Sequence, residues 1–250
     1  MPKMSIKTIL DYSPNFNKKK RKINQIKFII FHYTGMKKES EAINKLTNIH
    51  SKVSCHYLIK KNGKIITMVP NSYIAWHAGI SSWKNFKSLN KDSIGIEISN
   101  PGHNFKYRNF SKQQIQSILR LSNFLIKKFK IDKKNILGHS DIAPNRKKDP
   151  GEKFPWQYLS KHQVGLWHTL FDSLLKKNRM EKIDQISKKY FYNNLLKIGY
   201  SLKTPHNIKK DRFLILVVKA FQRRFRQDLI NGIIDQECLM ISQNLAKKLN

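Results

Sequence analysis

The segment Lys27-Phe-Ile-Ile-Phe-His-Tyr-Thr34 sets the first limit on the fold. An apolar run this short, rich in Ile and Phe and closed by Gly35, reads as a buried strand. Ser93-Ile-Gly-Ile-Glu-Ile-Ser99 is a second strand. Its alternation puts Ile94, Ile96 and Ile98 on one face and Gly95 and Glu97 on the other. Between them, Ser54–Lys60 and Lys64–Val69 are strand-like runs joined by Lys61-Asn62-Gly63, a hairpin signal. Glu39–His50 reads as a helix. Ser111 caps another from Lys112 to about Lys130, with Ile115, Ile118, Leu119 and Leu125 at helical spacing. Asn135-Ile-Leu-Gly-His139 returns as a short strand, and Gln163–Lys177 as a last helix. Strands and helices mixed in this order predict an α/β domain: one mixed central sheet flanked by helices.

Beyond a polar, basic stretch, Lys176-Lys177-Asn178-Arg179, the pattern becomes purely helical. Helices are predicted over about 182–198, closed by Gly199, over about 210–227, and from Asp235 onward. The expected organisation is therefore an N-terminal arm (1–26), an α/β domain (27–175), a linker (176–182) and a small all-α three-helix module (183–250). A piece of that size lies near the lower limit for folding alone.

Composition narrows the function classes. The 250 residues carry 49 Lys+Arg against 16 Asp+Glu, a formal charge of +33. Such a chain attracts anionic partners, but Lys is spread along its whole length and no dedicated binding arm stands out. No zinc finger, RNP sequence or basic zipper is present, so no specific nucleic-acid partner is expected. No apolar run approaches the ~20 residues of a membrane helix. Two cysteines, Cys55 and Cys238, exclude a disulfide scaffold. Met1–Lys22 lacks the apolar stretch and cleavage site of a secretory signal, which predicts a cytoplasmic location.

The chemistry-bearing residues fall at the ends of predicted elements. His32 ends the first strand, Glu97 lies on the polar face of its strand, and His139 follows Ile136-Leu137-Gly138. A turn-rich loop, Ser140–Gly151, comes next. Two histidines and a carboxylate suit Zn²⁺, with a fourth position left for water. Spacing alone leaves the ligand set open, because Asp141 and Asp149 both follow His139 closely.

From His32 to Trp156 the sequence resembles the zinc-dependent N-acetylmuramoyl-L-alanine amidases, the type 2 amidase and peptidoglycan-recognition superfamily. The matching stretches are Phe31-His-Tyr-Thr34, Ser54-Cys-His-Tyr-Leu-Ile59, Ala75-Trp-His-Ala-Gly79, Ser93–Ile98, His139-Ser-Asp-Ile-Ala-Pro144, Arg146-Lys-Lys-Asp-Pro-Gly151 and Phe154-Pro-Trp156. The resemblance implies His32, His139 and Asp149 as ligands of one Zn²⁺ per chain. It implies Glu97 as the acidic and Lys147 as the basic catalytic residue. The bond cut would be the amide joining N-acetylmuramic acid, or its anhydro form, to L-alanine.

Trp76 and His77 are candidate substrate contacts, whereas His56 reads as structural. His50, His103, His162, His168 and His206 carry no motif. Cys55 stands where some relatives have a tyrosine near the metal, which moves the acid–base role to Glu97. After the linker, Leu195–Tyr200, Ala220-Phe-Gln-Arg-Arg-Phe225 and Asn231–Asp235 resemble a peptidoglycan-binding helical domain. That module implies access to the periplasm or cell wall, against the cytoplasmic reading of the N-terminus. The expected partner is peptidoglycan or a muropeptide, and the expected state a monomer. The alternative is a recognition protein that binds wall fragments without cutting; such relatives usually lack a metal ligand, and all three candidates are retained here.

Overall fold

A computed structural model describes residues 6–249; residues 1–5 of the 1–26 arm and residue 250 of the helical module lie outside it. The strands are β1 (Ile9–Leu10), β2 (Phe16–Asn17), β3 (Phe28–Tyr33), β4 (Tyr57–Ile59), β5 (Ile65–Thr67), β6 (Ile74–Ala75), β7 (Ser82–Trp83), β8 (Phe86–Lys87), β9 (Ser93–Ile98) and β10 (Ile136–Gly138). The helices are α1 (Glu39–Thr47), α2 (Lys112–Phe129), α3 (His139–Ile142), α4 (Trp156–Lys161), α5 (Asp172–Lys177), α6 (Gln185–Ile198), α7 (Lys210–Phe225) and α8 (Gln236–Lys247). The main sheet runs β1-β5-β4-β9-β3-β10. Only β4 and β5 pair antiparallel, across the Asn62-Gly63 turn; all other neighbours are parallel.

Parallel strands are buried on both faces, so β3 carries apolar residues at nearly every position. On one face Ile29, Phe31, Ile94, Ile96 and Ile98 pack under α2, through Ile118, Leu121 and Leu125. Ser111 starts that helix by accepting a hydrogen bond from the Gln114 N–H, as its sequence position predicts. On the other face Phe28, Ile30 and Leu137 join a core that includes Phe191, Leu195, Val217 and Phe221 from α6 and α7.

That shared core explains how so small a helical module is stabilised. Each fully buried Phe or Leu in it contributes about 1.5–3 kcal/mol. The stretch 176–182 lies within the fold rather than beside it. Lys176 and Lys177 end α5, and Arg179 holds Glu237 of α8 through two hydrogen bonds of 2.7 and 2.8 Å. The helix expected over Gln163–Lys177 is confined to α5, and a turn and irregular backbone occupy 163–171. The stretch read as an arm is bound along its described length. β1 and β2 pair with β5 and β6, and buried Arg21 donates to the carbonyls of Asn71, Asn90, Lys91 and Ser93.

A buried ion pair fixes the junction of the sheet and the helical module. Asp141 accepts from Arg224 Nη1 at 2.7 Å, from the Tyr200 hydroxyl at 2.7 Å and from the Gly138 N–H at 2.8 Å. Arg224 also donates to the Ile136 carbonyl and lies 4.3 Å from the centre of the Trp156 ring. Asp141 thus faces the helices, away from His32. Removing it leaves Arg224 charged and buried, so Asp141→Ala is expected to lose about 3–5 kcal/mol of stability. Urea unfolding measures this, and a variant as stable as the parent would rule out that role for the pair.

His56, read as structural, is buried; it accepts from the Gly95 N–H at 3.0 Å, with Arg21 Nη2 2.9 Å from its other ring nitrogen. Burial first, and the Arg21 charge second, hold its pKa well below 6.5. The unfolded chain therefore takes up a proton below pH 6.5 that the fold refuses. Stability contributed by neutral His56 is full above pH 6.5 and falls by up to about 1.4 kcal/mol per pH unit below it. Unfolding curves at pH 7.5, 6 and 5 should show this slope, and His56→Gln should flatten it.

Candidate active site

The parallel register assembles the site. β3 pairs with β9 so that His32 lies opposite Glu97, and with β10 so that Gly138 lies opposite Phe31. His139, the next residue, therefore falls beside His32 at the carboxyl ends of the strands. The loop after α3 then folds back: the Ser140 N–H donates to the Asp149 carbonyl at 2.8 Å. Gly138 permits this return, because a Cβ there would stand 2.6 Å from the Pro150 ring.

Three side chains converge. The Nδ1 atoms of His32 and His139 lie 2.9 Å apart, and each is 3.0 Å from Asp149 Oδ2. All three residues are buried, and among the described residues they form a cluster fit to hold a metal ion. Burial, then the neighbouring His139, brings the His32 pKa down to about 4. Burial opposes ionisation of Asp149, but His139 and His32 beside it hold its carboxyl well below the usual range. A neutral imidazole and an ionised carboxylate are the protonation states a metal needs. The three donor atoms lie slightly closer together than the roughly 3.3–3.6 Å edges of a tetrahedron with bonds of about 2.0–2.2 Å, so a small outward shift of the side chains would seat the ion.

The outer nitrogens are engaged as well. His139 Nε2 lies 3.1 Å from the Ala78 carbonyl. His32 Nε2 lies 3.0 Å from His77 Nδ1. Arg146 donates to the carbonyls of Ala78 and Ile80, bracing the same loop.

Glu97 borders the same cleft, a cavity of about 390 Å³. Its Oε2 is shielded from solvent and has no hydrogen-bond partner. Burial first and the Asp149 charge second push its pKa up to about 8, while Lys147 and Lys45 pull the other way. A carboxyl in that range can both take and release a proton near neutrality. Lys147 also lines the cleft.

Trp76 lines the cleft too, half-buried, with its Nε1–H donated to Asn17. His77, read from the sequence as a substrate contact, lines the same cleft. It is buried, and both ring nitrogens are occupied, by His32 and by Ser93 Oγ at 3.2 Å. Cys55 is fully buried 3.6 Å from the Met68 sulfur, and burial pushes its thiol pKa well up, so it is no nucleophile. The sequence reading missed His103, which borders the cleft and bridges the Tyr33 hydroxyl at 2.8 Å and Glu152 at 3.0 Å. A lone histidine in a polar loop gives no local signal of this.

Comparison with known proteins bears on this geometry. The chain is 36% identical over 239 residues to the N-acetylmuramoyl-L-alanine amidase AmiD of Escherichia coli, covering 90% of this chain and 83% of that protein. The structure of AmiD with the substrate anhydro-N-acetylmuramic acid-L-Ala-D-γ-Glu-L-Lys superposes with a TM-score of 0.76, 33% identity and 90% of each chain covered. AmpDh3 of Pseudomonas aeruginosa, solved in complex with anhydromuramic pentapeptide, gives a TM-score of 0.76 at 26% identity over 99% of each chain. The profile of the N-acetylmuramoyl-L-alanine amidases matches residues 22–152, the span that supplies His32, Glu97, His139 and Asp149. On this fold, this site and these matches, the chain belongs to the N-acetylmuramoyl-L-alanine amidase family.

Proposed function

We propose that the chain is a zinc amidase acting on peptidoglycan or its soluble muropeptides. It cleaves the amide between the lactyl group of N-acetylmuramic acid, or of its anhydro form, and L-alanine. The observation that carries this is the His32–His139–Asp149 cluster facing an unpartnered Glu97 carboxyl in one cleft. The bound muropeptides of AmiD and AmpDh3 support the substrate class.

His32, His139 and Asp149 would hold the zinc, and a zinc ion there would supply positive charge able to polarise the scissile carbonyl and acidify water. Glu97, ionised, accepts the proton of the attacking water and delivers it to the departing amine nitrogen of L-alanine. Its burial makes it a better base than an exposed carboxylate. Lys147 sets a cationic group where negative charge develops on the carbonyl oxygen, and this charge is stabilised more in the transition state than in the substrate. Trp76 offers a flat apolar wall to the sugar or peptide. The helical module at 183–250 adds a second hold on the wall polymer, and its basic surface strengthens that hold electrostatically. Activity on intact sacculi compared with soluble anhydro-muropeptides measures this and reports which compartment's substrate the enzyme is built for.

His139→Ala is expected to lose zinc and release of stem peptide together. Full zinc content with full activity in that variant would sink the ligand assignment. Glu97→Gln should keep zinc while kcat falls by about 10²–10⁴. In the parent, kcat/KM should fall as pH drops through the Glu97 pKa, because the protonated carboxyl cannot accept the water's proton. That limb should lie above the ordinary carboxyl value of 4.5 and vanish in Glu97→Gln. A pH–rate profile unchanged by the substitution would remove Glu97 from this role.

A further inference from the structure

Behind His32 a chain of buried groups leads away from His139 and Asp149. His32 Nε2 lies 3.0 Å from His77 Nδ1. His77 Nε2 lies 3.2 Å from Ser93 Oγ. The Ser93 hydroxyl donates to the Leu89 carbonyl at 2.6 Å. His32, His77 and Ser93 are all buried, so no solvent competes for these bonds.

The terminal carbonyl sets the direction of the whole chain. A carbonyl only accepts, so Ser93 spends its proton on Leu89 and offers His77 a lone pair. His77 therefore carries its proton on Nε2 and presents Nδ1 as an acceptor. His32 must then carry its own proton on Nε2, which leaves Nδ1 bare, on the side of His139 and Asp149.

We infer that His77, Ser93 and Gly95 form a tautomer relay that fixes His32 as an Nδ1 ligand and thereby sets metal affinity. Gly95 enters through space alone. A Cβ there would lie 2.3 Å from His77 Cγ and 2.5 Å from its Nδ1, so any other residue displaces the ring. The loop 77–78 serves both histidine ligands, since the Ala78 carbonyl accepts from His139 Nε2 on the same principle. His77 and Ser93 are positioning residues, acting through His32. Outer partners of this kind typically carry about 10–100-fold of metal affinity.

The inference rests on the metal reading above, and the test separates the two. Zinc affinity is measured by competition with a chelating dye for the parent, His77→Leu, Ser93→Ala and Ser93→Thr. The parent binds zinc; a parent that does not would overturn the metal reading itself. His77→Leu and Ser93→Ala are expected to bind about 10–100-fold more weakly, and Ser93→Thr, which keeps the hydroxyl, to recover most of the loss. Two-bond ¹H–¹⁵N spectra of the zinc-free protein should place the proton on Nε2 of both His32 and His77, and Ser93→Ala should mix the His77 tautomers. Gly95→Ala should weaken zinc binding like His77→Leu although it touches no ligand. Should that variant fail to fold, the serine pair and the spectra decide the matter. Parent-like zinc affinity in both His77→Leu and Ser93→Ala, or a His77 proton on Nδ1 in the parent, would overturn the relay.

Discussion

The parallel pairing of β3 between β9 and β10 is the constraint on which the site depends. It aligns the carboxyl ends of three strands, so that residues 32, 97 and 139 meet although far apart in sequence. A slip of one residue in either pairing would turn His32 or Glu97 into the opposite apolar core. The isoleucines at 94, 96 and 98 guard against that slip, because each would lose its place under α2.

The second constraint is the placement of the helical module. Its apolar faces do not close on themselves but share a core with one face of the sheet. The Asp141–Arg224–Tyr200 cluster locks that union two residues beyond a metal-ligand candidate. One short motif, His139-Ser-Asp141, thus sends one side chain to the site and another to the module. Stability of the helices and geometry of the site are coupled through it.

Much of this was legible in the sequence. Period-two isoleucines, the Asn62-Gly63 turn and the Ser111 cap each dictate a local conformation by elementary sterics or hydrogen bonding, and each stands where expected. Residues 163–171 are less legible: the apolar stretch reads as helix, while Gly165 at φ +87° and packing hold it in turns and irregular backbone. By spacing Asp141, which lies closer to His139, rivals Asp149 as a ligand. Only the family resemblance chose between them, and their different partners give the physical reason.

His77 marks the boundary between the two kinds of knowledge. The sequence supplied its identity and, within the alternating strand at 93–99, a Gly95 with no side chain. By itself the sequence determined the longer strands β3 and β9, the β4–β5 hairpin, the longer helices and the chemical types available, since those follow from local patterns of size, polarity and charge. Tertiary structure alone decided which nitrogen faces which partner, that Arg21 would be buried among carbonyls, and that Glu97 Oε2 would be buried without a hydrogen-bond partner. Those outcomes depend on groups distant in sequence that come together only when the sheet is paired and its faces are covered.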